Sequence, residues 1–404
     1  MAKRRKSRRN RRRKILFAVE IVVLLLLSLV LFVAIWATQR LSLINRQDLD
    51  EDRLFTASEV NGGAAEGGTG TTSNLSGVEL IALVGLDTRE GEEAMNSDTM
   101  IIACLNHNEK TIKLVSVYRD TYLNIGEDYY GNPNSYTKAN AAYNLGGPEQ
   151  FLSMLNLNLD LNITEYVTVD FTALTKTIDL LGGIDIDLTR EEVIHINNYN
   201  RGDDEATGTA EASGVEYEAL EVPPEEESGT GITHTYHLNG SQAVSYARIR
   251  YTAGNDFRRA SRQRLVLAKI MEKAQGADLG TLDAILGEVL PLVTTNLQNT
   301  QIISMVQPLL TYSLTEDSQT GFPFVLITDS GGELTGEDCI IPVTLEYNVQ
   351  RLHEFLFPGE SYTPSSTVQE YSAEIEYETG YSEEDIEDIS SIDWGANLSQ
   401  WTGE

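Results

Sequence analysis

Residues 99–118 read TMIIACLNHNEKTIKLVSVY. Two apolar runs, TMIIACLN and TIKLVSVY, flank the polar stretch HNEK, which is the pattern of two buried strands joined by a turn. Immediately upstream, VELIALVGLD (78–87) is a third strand-like run. Downstream the pattern changes. KANAAYNLGGPEQFLSMLNLNL (138–159) reads as two helical pieces broken at Gly146–Gly147. ITEYVTVDF (163–171) reads as a strand, TALTKTIDLL (172–181) as a helix stopped by Gly182–Gly183, and IDIDL (184–188) as a strand. Further on come a helix from about Ser241, a longer one over FRRASRQRLVLAKIMEKAQ (257–275), two more over 279–294 and 300–313, a strand FPFVLIT (322–328) and a last helix TLEYNVQRLHEFLF (344–357). Strands alternating with helices predict an α/β domain in which helices cover a sheet.

The ends of the chain differ from this body. Residues 1–14, MAKRRKSRRNRRRK, hold ten basic residues and no acid. Residues 15–37, ILFAVEIVVLLLLSLVLFVAIWA, carry one charge, Glu20. A helix needs roughly 20 apolar residues to cross a bilayer core, so this run is long enough. A cleaved signal peptide is the rival reading. Its apolar region is shorter and ends in small residues, whereas this one ends AIWATQR. The basic flank places the N-terminus in the cytoplasm and the rest outside it. Residues 38–77 read as a juxtamembrane segment followed by the flexible linker NGGAAEGGTGTTSNLSG (61–77). The folded domain is expected over 78–358.

Charge narrows the function classes. The formal net charge is −31, and beyond residue 14 twenty basic residues face sixty-one acidic ones, a net of −41. Such a body repels nucleic-acid phosphates, and the basic tail sits against the membrane, so no nucleic-acid partner is expected. Residues 202–231 hold ten acids and no base and read as a solvated surface insert. Residues 359–404, with twelve acids and no Lys or Arg, read as a disordered tail. Two cysteines, Cys104 and Cys339, sit in apolar contexts, so a disulfide and two buried thiols are equally consistent.

Against this acidity, YARIRYTAGNDFRRASRQR (246–264) gathers six arginines in seventeen residues, Arg248 to Arg264. If RIRY is extended, Arg248 and Arg250 share a face. On the following helix Asp256, Arg259 and Gln263 share another, with Arg262 adjacent. Polar groups also cluster at strand ends: Asp87 and Arg89 in LVGLDTRE, Asp98 in MNSDTMII, Arg119 and Asp120 in SVYRDTY. Converging guanidiniums suit phosphate oxygens. Two carboxylates, Asp87 and Asp98, suit a hard cation such as Mg²⁺, which takes one or two carboxylates plus substrate phosphates. The commoner fate of such residues is a solvated face or surface ion pairs. His234 and His237 in HTYH lack a third ligand and read as surface residues. The chain contains no P-loop, no G-x-S-x-G and no paired C-x-x-C.

The segments VGLDTR, SDTM, YRDTYL, KANAAY, HLNGSQAVSYARIR and DFRRASRQR, in this order behind an apolar anchor, resemble the LytR-CpsA-Psr family of Gram-positive bacteria. The resemblance runs from about Leu80 to Arg264 and more weakly to about Pro358. It implies a three-layer α/β/α domain with a central mixed sheet and a deep apolar pocket for a polyprenyl chain, tethered by one transmembrane helix. It implies a phosphotransferase that moves a glycopolymer, of the teichoic acid or capsule kind, from a polyprenyl-pyrophosphate carrier onto peptidoglycan with Mg²⁺ during cell wall biogenesis. Carried over by motif, Asp87 and Asp98 would bind the metal. Arg89, Arg119, Arg248, Arg250, Arg259, Arg262 and Gln263 would hold the pyrophosphate. Arg119, Asp98 and Asp256 would serve catalysis. Two departures stand out: Tyr118 where the family usually has Pro, and Asn255 where it has Gly. A Mg²⁺-dependent polyprenyl-pyrophosphate hydrolase and a non-catalytic lipid-binding regulator are the alternatives.

Overall fold

The structure is a computed structural model and describes residues 35–61, 76–86, 97–202, 208–227, 231–250 and 255–390. Most of the apolar run 15–37 therefore lies outside the described residues, as do Asp87 and Arg89. Among the described residues no helix is long and apolar enough to cross a membrane. The chain divides into two units, Met1–Ile44 and Asn45–Glu404. In the first, residues 35–41 are helical.

The second unit is built on seven strands. They are β1 (Asn45–Arg46), β2 (Val78–Leu86), β3 (Ser97–Asn106), β4 (Thr111–Val117), β7 (Glu165–Asp170), β10 (Thr294–Thr295) and β11 (Gln319–Phe322), and their spatial order is β1-β10-β7-β2-β3-β4-β11. The sheet is mixed. The central β2 pairs antiparallel with β3 and parallel with β7, and the β3–β4 hairpin is the one read from residues 99–118. Three smaller pairs complete the strands: β5 (Tyr122–Asn124) with β6 (Tyr136–Lys138), β8 (Ile184–Thr189) with β9 (Thr233–Leu238), and β12 (Leu326–Asp329) with β13 (Cys339–Pro342). IDIDL is thus a strand as expected, but it pairs with THTYHL outside the main sheet.

Alternation along the strands supplies two apolar faces. On one face Ala82, Val84, Met100, Ile102, Val115 and Val117 pack with α1 (Ala141–Leu159), α7 (Leu345–Leu356) and α8 (Ser366–Thr379). On the other, Ile81, Ile101, Ala103, Ile112 and Leu114 meet Leu267 and Met271 of α5 (Asn255–Gln275) and Met305 of α6 (Asn299–Thr311). A mixed sheet with helices on both faces follows, as the alternation of elements predicts. Helix α1 is interrupted where expected: Gly146 and Gly147 leave helical geometry, Gly147 at φ +68°. Pro148 then opens the second piece, where a missing N–H is harmless. A separate core joins α2 (Phe171–Leu180), α3 (Arg190–Arg201) and α4 (Gly240–Arg248) to the antiparallel β8–β9 pair. Here Gly240 is required by close approach, since a Cβ on it would lie 2.2 Å from the Thr175 carbonyl oxygen.

Two regions expected to be solvated or disordered are docked instead. Residues 208–227 of the acidic insert are held by their backbone. Asn197 clamps Leu220 through both its N–H and its carbonyl, Gln242 donates to the Glu218 carbonyl, and Arg190 donates to that of Pro223. Composition does not register such anchors, because they come from side chains elsewhere in the chain. Residues 359–390 of the acidic tail also fold onto the body. Helix α8 buries Val368 and Ile375 while leaving its acids outward. The clasp is Asp160, which ends α1 in the left-handed conformation and is fully buried. Its carboxylate accepts from Tyr362 Oη, Ser365 N and Ser365 Oγ at 2.5, 2.7 and 2.5 Å. Tyr362 stacks on His353 at 3.6 Å, and His353 Nε2 donates to the Leu159 carbonyl at 2.8 Å. Cys104 and Cys339 are both buried and free.

Burial pushes His353 down to about 4. The neutral imidazole is therefore the folded form, and protonation favours the unfolded chain. Stability from this residue is complete above the unfolded value of about 6.5 and falls by about 3 kcal/mol as pH drops to about 4. Urea unfolding followed between these pH values should show a His353→Phe variant losing that part of the pH dependence. An unchanged pH slope would place the sensitivity elsewhere.

Candidate active site

The site forms where β3, the loop after β4 and the segment joining α4 to α5 meet. Asp98 is the second residue of β3. Its side chain is 18% exposed, and it lies among guanidiniums from three parts of the chain. Arg119, just past β4, donates from Nη1 to Asp98 Oδ1 at 2.7 Å. Arg250, two residues past α4, reaches Oδ2 from Nη2 at 3.3 Å. Arg259, on the first turns of α5, lies 3.5 Å from the Asp98 carbonyl oxygen through Nη2. Asp120 adds a second carboxylate, taking Arg119 Nε at 3.1 Å and facing Lys138 Nζ at 4.0 Å.

Burial opposes the charge of Asp98, but the neighbouring Arg259, Arg119 and Arg250 outweigh it and hold its carboxyl below the usual range. Asp98 is therefore an ionised carboxylate at neutral pH. The hinge at Arg250 is built locally. Asn239 and Gln242 form a capping box that starts α4, and the chain leaves the helix after Arg248 with Ile249 buried. That turn sends Arg250 toward β3.

The arginine-rich stretch does not act as one patch. The extended reading put Arg248 and Arg250 on one face, whereas Arg248 closes α4. Its guanidinium lies over Phe171 at 5.0 Å and Tyr199 at 5.9 Å and donates to Thr209 Oγ1 at 2.9 Å. Arg262 is fully buried. It donates from Nε and Nη2 to Glu192 Oε1 at 3.1 and 3.0 Å and from Nη1 to the Ile249 carbonyl at 3.1 Å. The other oxygen of Glu192 closes the capping box on Thr189 that starts α3. One carboxylate therefore ties α3, α5 and the end of α4 together. Gln263 is half-buried on α5. The side chain of Asp256, like Asp87 and Arg89, lies outside the described residues.

The sequence reading thus brings Asp98, Arg119, Arg250 and Arg259 together and misses Glu192 and Lys138. T-x-x-E at 189–192 was available as a cap signal, but nothing local to it announces Arg262 seventy residues on. For a metal the relevant donors are carboxylate oxygens, which suit a hard ion. Among the described residues no three His, Cys, Asp or Glu side chains converge. His234 and His237 pair instead with Glu227 and Asp185 at the surface.

A profile of the LytR_cpsA_psr family matches residues 51–323. The chain belongs to this family. A Bacillus subtilis polyisoprenyl-teichoic acid–peptidoglycan teichoic acid transferase, TagV, is 30% identical over 213 residues, which is 52% of this chain and 47% of that protein. The corresponding transferase TagU of Halalkalibacterium halodurans is 30% identical over 223 residues, covering 54% and 60%. Biofilm regulatory protein A of Streptococcus mutans is 28% identical over 270 residues, covering 64% and 60%. The matches therefore span about half to three-fifths of these relatives' lengths. Two crystal structures share the fold. Protein gbs0355 of Streptococcus agalactiae has a TM-score of 0.52 at 22% identity, over 72% of this chain and 91% of that one. An Enterococcus faecalis protein described as a transcriptional regulator has a TM-score of 0.51 at 21% identity, over 75% and 95%.

The Glu192–Arg262 pair carries a prediction for stability. Glu192→Ala leaves a buried guanidinium without its counter-charge and should lower the unfolding free energy by about 3–5 kcal/mol. Denaturant unfolding measures this directly. A loss below about 1 kcal/mol, the range of an exposed pair, would mean that Arg262 is not held as described.

Proposed function

We propose that this protein is a membrane-anchored, extracytoplasmic phosphotransferase that moves a glycopolymer from a polyprenyl-pyrophosphate carrier onto peptidoglycan. The observation that carries this reading is the meeting of Arg119, Arg250 and Arg259 around Asp98. Membership of a family whose curated relatives include named teichoic acid transferases supports it. The polyprenyl chain would occupy an apolar pocket, and the run 15–37 would hold the enzyme beside its lipid donor, raising their effective concentration.

In the proposed reaction an acceptor hydroxyl on peptidoglycan bonds to the phosphorus that carries the glycopolymer. The bond from that phosphorus to the bridging oxygen breaks, and polyprenyl monophosphate leaves. Little covalent chemistry is asked of the protein in such a transfer; it positions the groups and stabilises charge. Arg119 and Arg250, which hold Asp98 in the free protein, would turn their forks to the pyrophosphate oxygens, with Arg259 beside them. Arg89, Arg248, Arg262 and Gln263 complete the set expected from the family motif. Of these, Arg248 and Arg262 would act by fixing the segment that carries Arg250, since their guanidiniums engage Thr209 and Glu192. Asp98, kept ionised, and Asp87 would hold Mg²⁺, with the substrate's own phosphate oxygens as further ligands. Such an ion would neutralise charge developing on the phosphate oxygens. Asp256 would orient an arginine or accept the acceptor's proton.

The test uses the full chain in detergent with a polyprenyl-pyrophosphate oligosaccharide, Mg²⁺ and peptidoglycan fragments, with products followed by mass spectrometry. Oligosaccharide phosphate on the glycan is expected. Arg250→Ala should lower the rate by about 100-fold or more, as loss of a charge-stabilising donor does. Arg250→Lys should recover only part, because the forked geometry is lost. Free oligosaccharide phosphate with the acceptor unmodified would replace transfer by hydrolysis. Lipid binding with no product at all would replace it by a regulatory role.

A further inference from the structure

Helix α5 lays one face on the sheet. Its residues Phe257, Ala260, Arg264, Leu267 and Met271 follow helical spacing. The strand beneath offers Tyr118, Ser116, Leu114 and Ile112 on its facing side. At one end Tyr118 meets Phe257 edge-on, 4.8 Å between ring centres, with Ala260 in the same cluster. At the other, Leu114 and Ile112 share a core with Leu267 and Met271. Between these apolar ends along the helix lies Arg264. It is a cation within a helix–sheet interface.

Arg264 is 4% exposed, and Tyr118 and Ser116 are each 2% exposed. Arg264 Nη2 donates to Ser261 Oγ at 3.3 Å, one turn back on its own helix. Among the described residues, Arg264 Nη1, Tyr118 Oη and Ser116 Oγ are buried without a hydrogen-bond partner. Each of the three can donate a hydrogen bond, and the two hydroxyls can also accept one. Gly321 on β11, opposite Ser116 in register, leaves room for the Tyr118 phenol, since a Cβ there would stand 2.0 Å from Tyr118 Oη. Burial weighs against the Arg264 charge and lowers its pKa from the ordinary arginine value. Burial also pushes the Tyr118 phenol up to about 12, so it keeps its proton and donates.

We propose that Arg264, Tyr118 and Ser116 form a buried binding site for a small monovalent anion of the size of chloride. A buried cation calls for a counter-charge, and none of the three groups carries one. A water molecule can accept only two hydrogen bonds and brings no charge. A halide accepts all three and neutralises the guanidinium. The site rests on different residues from the Asp98 cluster and does not depend on the transferase reading.

The test compares thermal unfolding of the full chain in detergent in sodium chloride, sodium bromide and sodium gluconate at equal ionic strength. Gluconate is too large for a cleft under a helix, so the halides should raise Tm by about 2 °C or more relative to it. Arg264→Met should abolish the difference, and Tyr118→Phe and Ser116→Ala should each reduce it. A crystal soaked in bromide should give an anomalous peak within hydrogen-bonding distance of Arg264 Nη1. Equal Tm in all three salts, or water in place of bromide between the three groups, would overturn the proposal. Should Arg264→Met fail to fold, Ser116→Ala decides: an undiminished halide effect overturns the site, and a reduced one supports it.

Discussion

Guanidinium groups repel one another, and several can be drawn to one point only around an anion. Asp98 is that anion in the free protein. It is placed by β3, which pairs along its length with β2 and so is fixed at the centre of the sheet. The arginines come from the end of β4, the exit of α4 and the start of α5, and none is next to another in sequence. The sheet and helices therefore serve, chemically, to hold three cations within reach of one carboxylate. On the proposed function, a substrate diphosphate would take the place of that carboxylate at the arginines.

The same stretch of sequence illustrates how one helix distributes like charges. Arg259, Arg262 and Arg264 lie within six residues of α5, yet the 3.6-residue turn sends them to different surroundings. Arg259 faces Asp98, Arg262 faces Glu192 in the core beside α3, and Arg264 faces the sheet. Buried side by side in one environment they would destabilise the fold. Separated by the helix they brace it on two sides and present a third charge to the site. The fixed position of Arg259 depends on the other two, because they set the rotation of α5 about its own axis.

Much of the fold is legible in the sequence. The β3–β4 hairpin, the break at Gly146–Gly147 and the strand–helix alternation all announce themselves by apolar period and turn residues, which act locally. The pairing of β8 with β9 is not legible, because THTYHL has few apolar residues and gains its register from its partner. Composition also misleads for the acidic insert and tail. Most of their described acids face outward, while a few apolar residues such as Val368 and Ile375, and one buried carboxylate at Asp160, decide that 359–390 folds. At the site, residue types and family order brought Asp98, Arg119, Arg250 and Arg259 into one list. Spacing alone could not separate these from Arg248 and Arg262, because the separation depends on Thr209, Phe171, Tyr199 and Glu192, all distant in sequence.

A net charge of −31 and the anion binding proposed for the site present no contradiction once distance is considered. At physiological ionic strength charges are screened over about 8 Å. Among the described residues, most acids of the insert and of α8 are exposed, so their field reaches little beyond their own surroundings. The cluster around Asp98 is partly withdrawn from water, and screening there is weaker. A phosphate group arriving at the site is governed by Arg119, Arg250 and Arg259 and hardly by the net charge. The acidity acts at longer range and lower salt, where it discourages polyanions from settling anywhere else on the protein. On the proposed function, concentrated positive charge in a negative body would select where an anionic polymer can touch the surface.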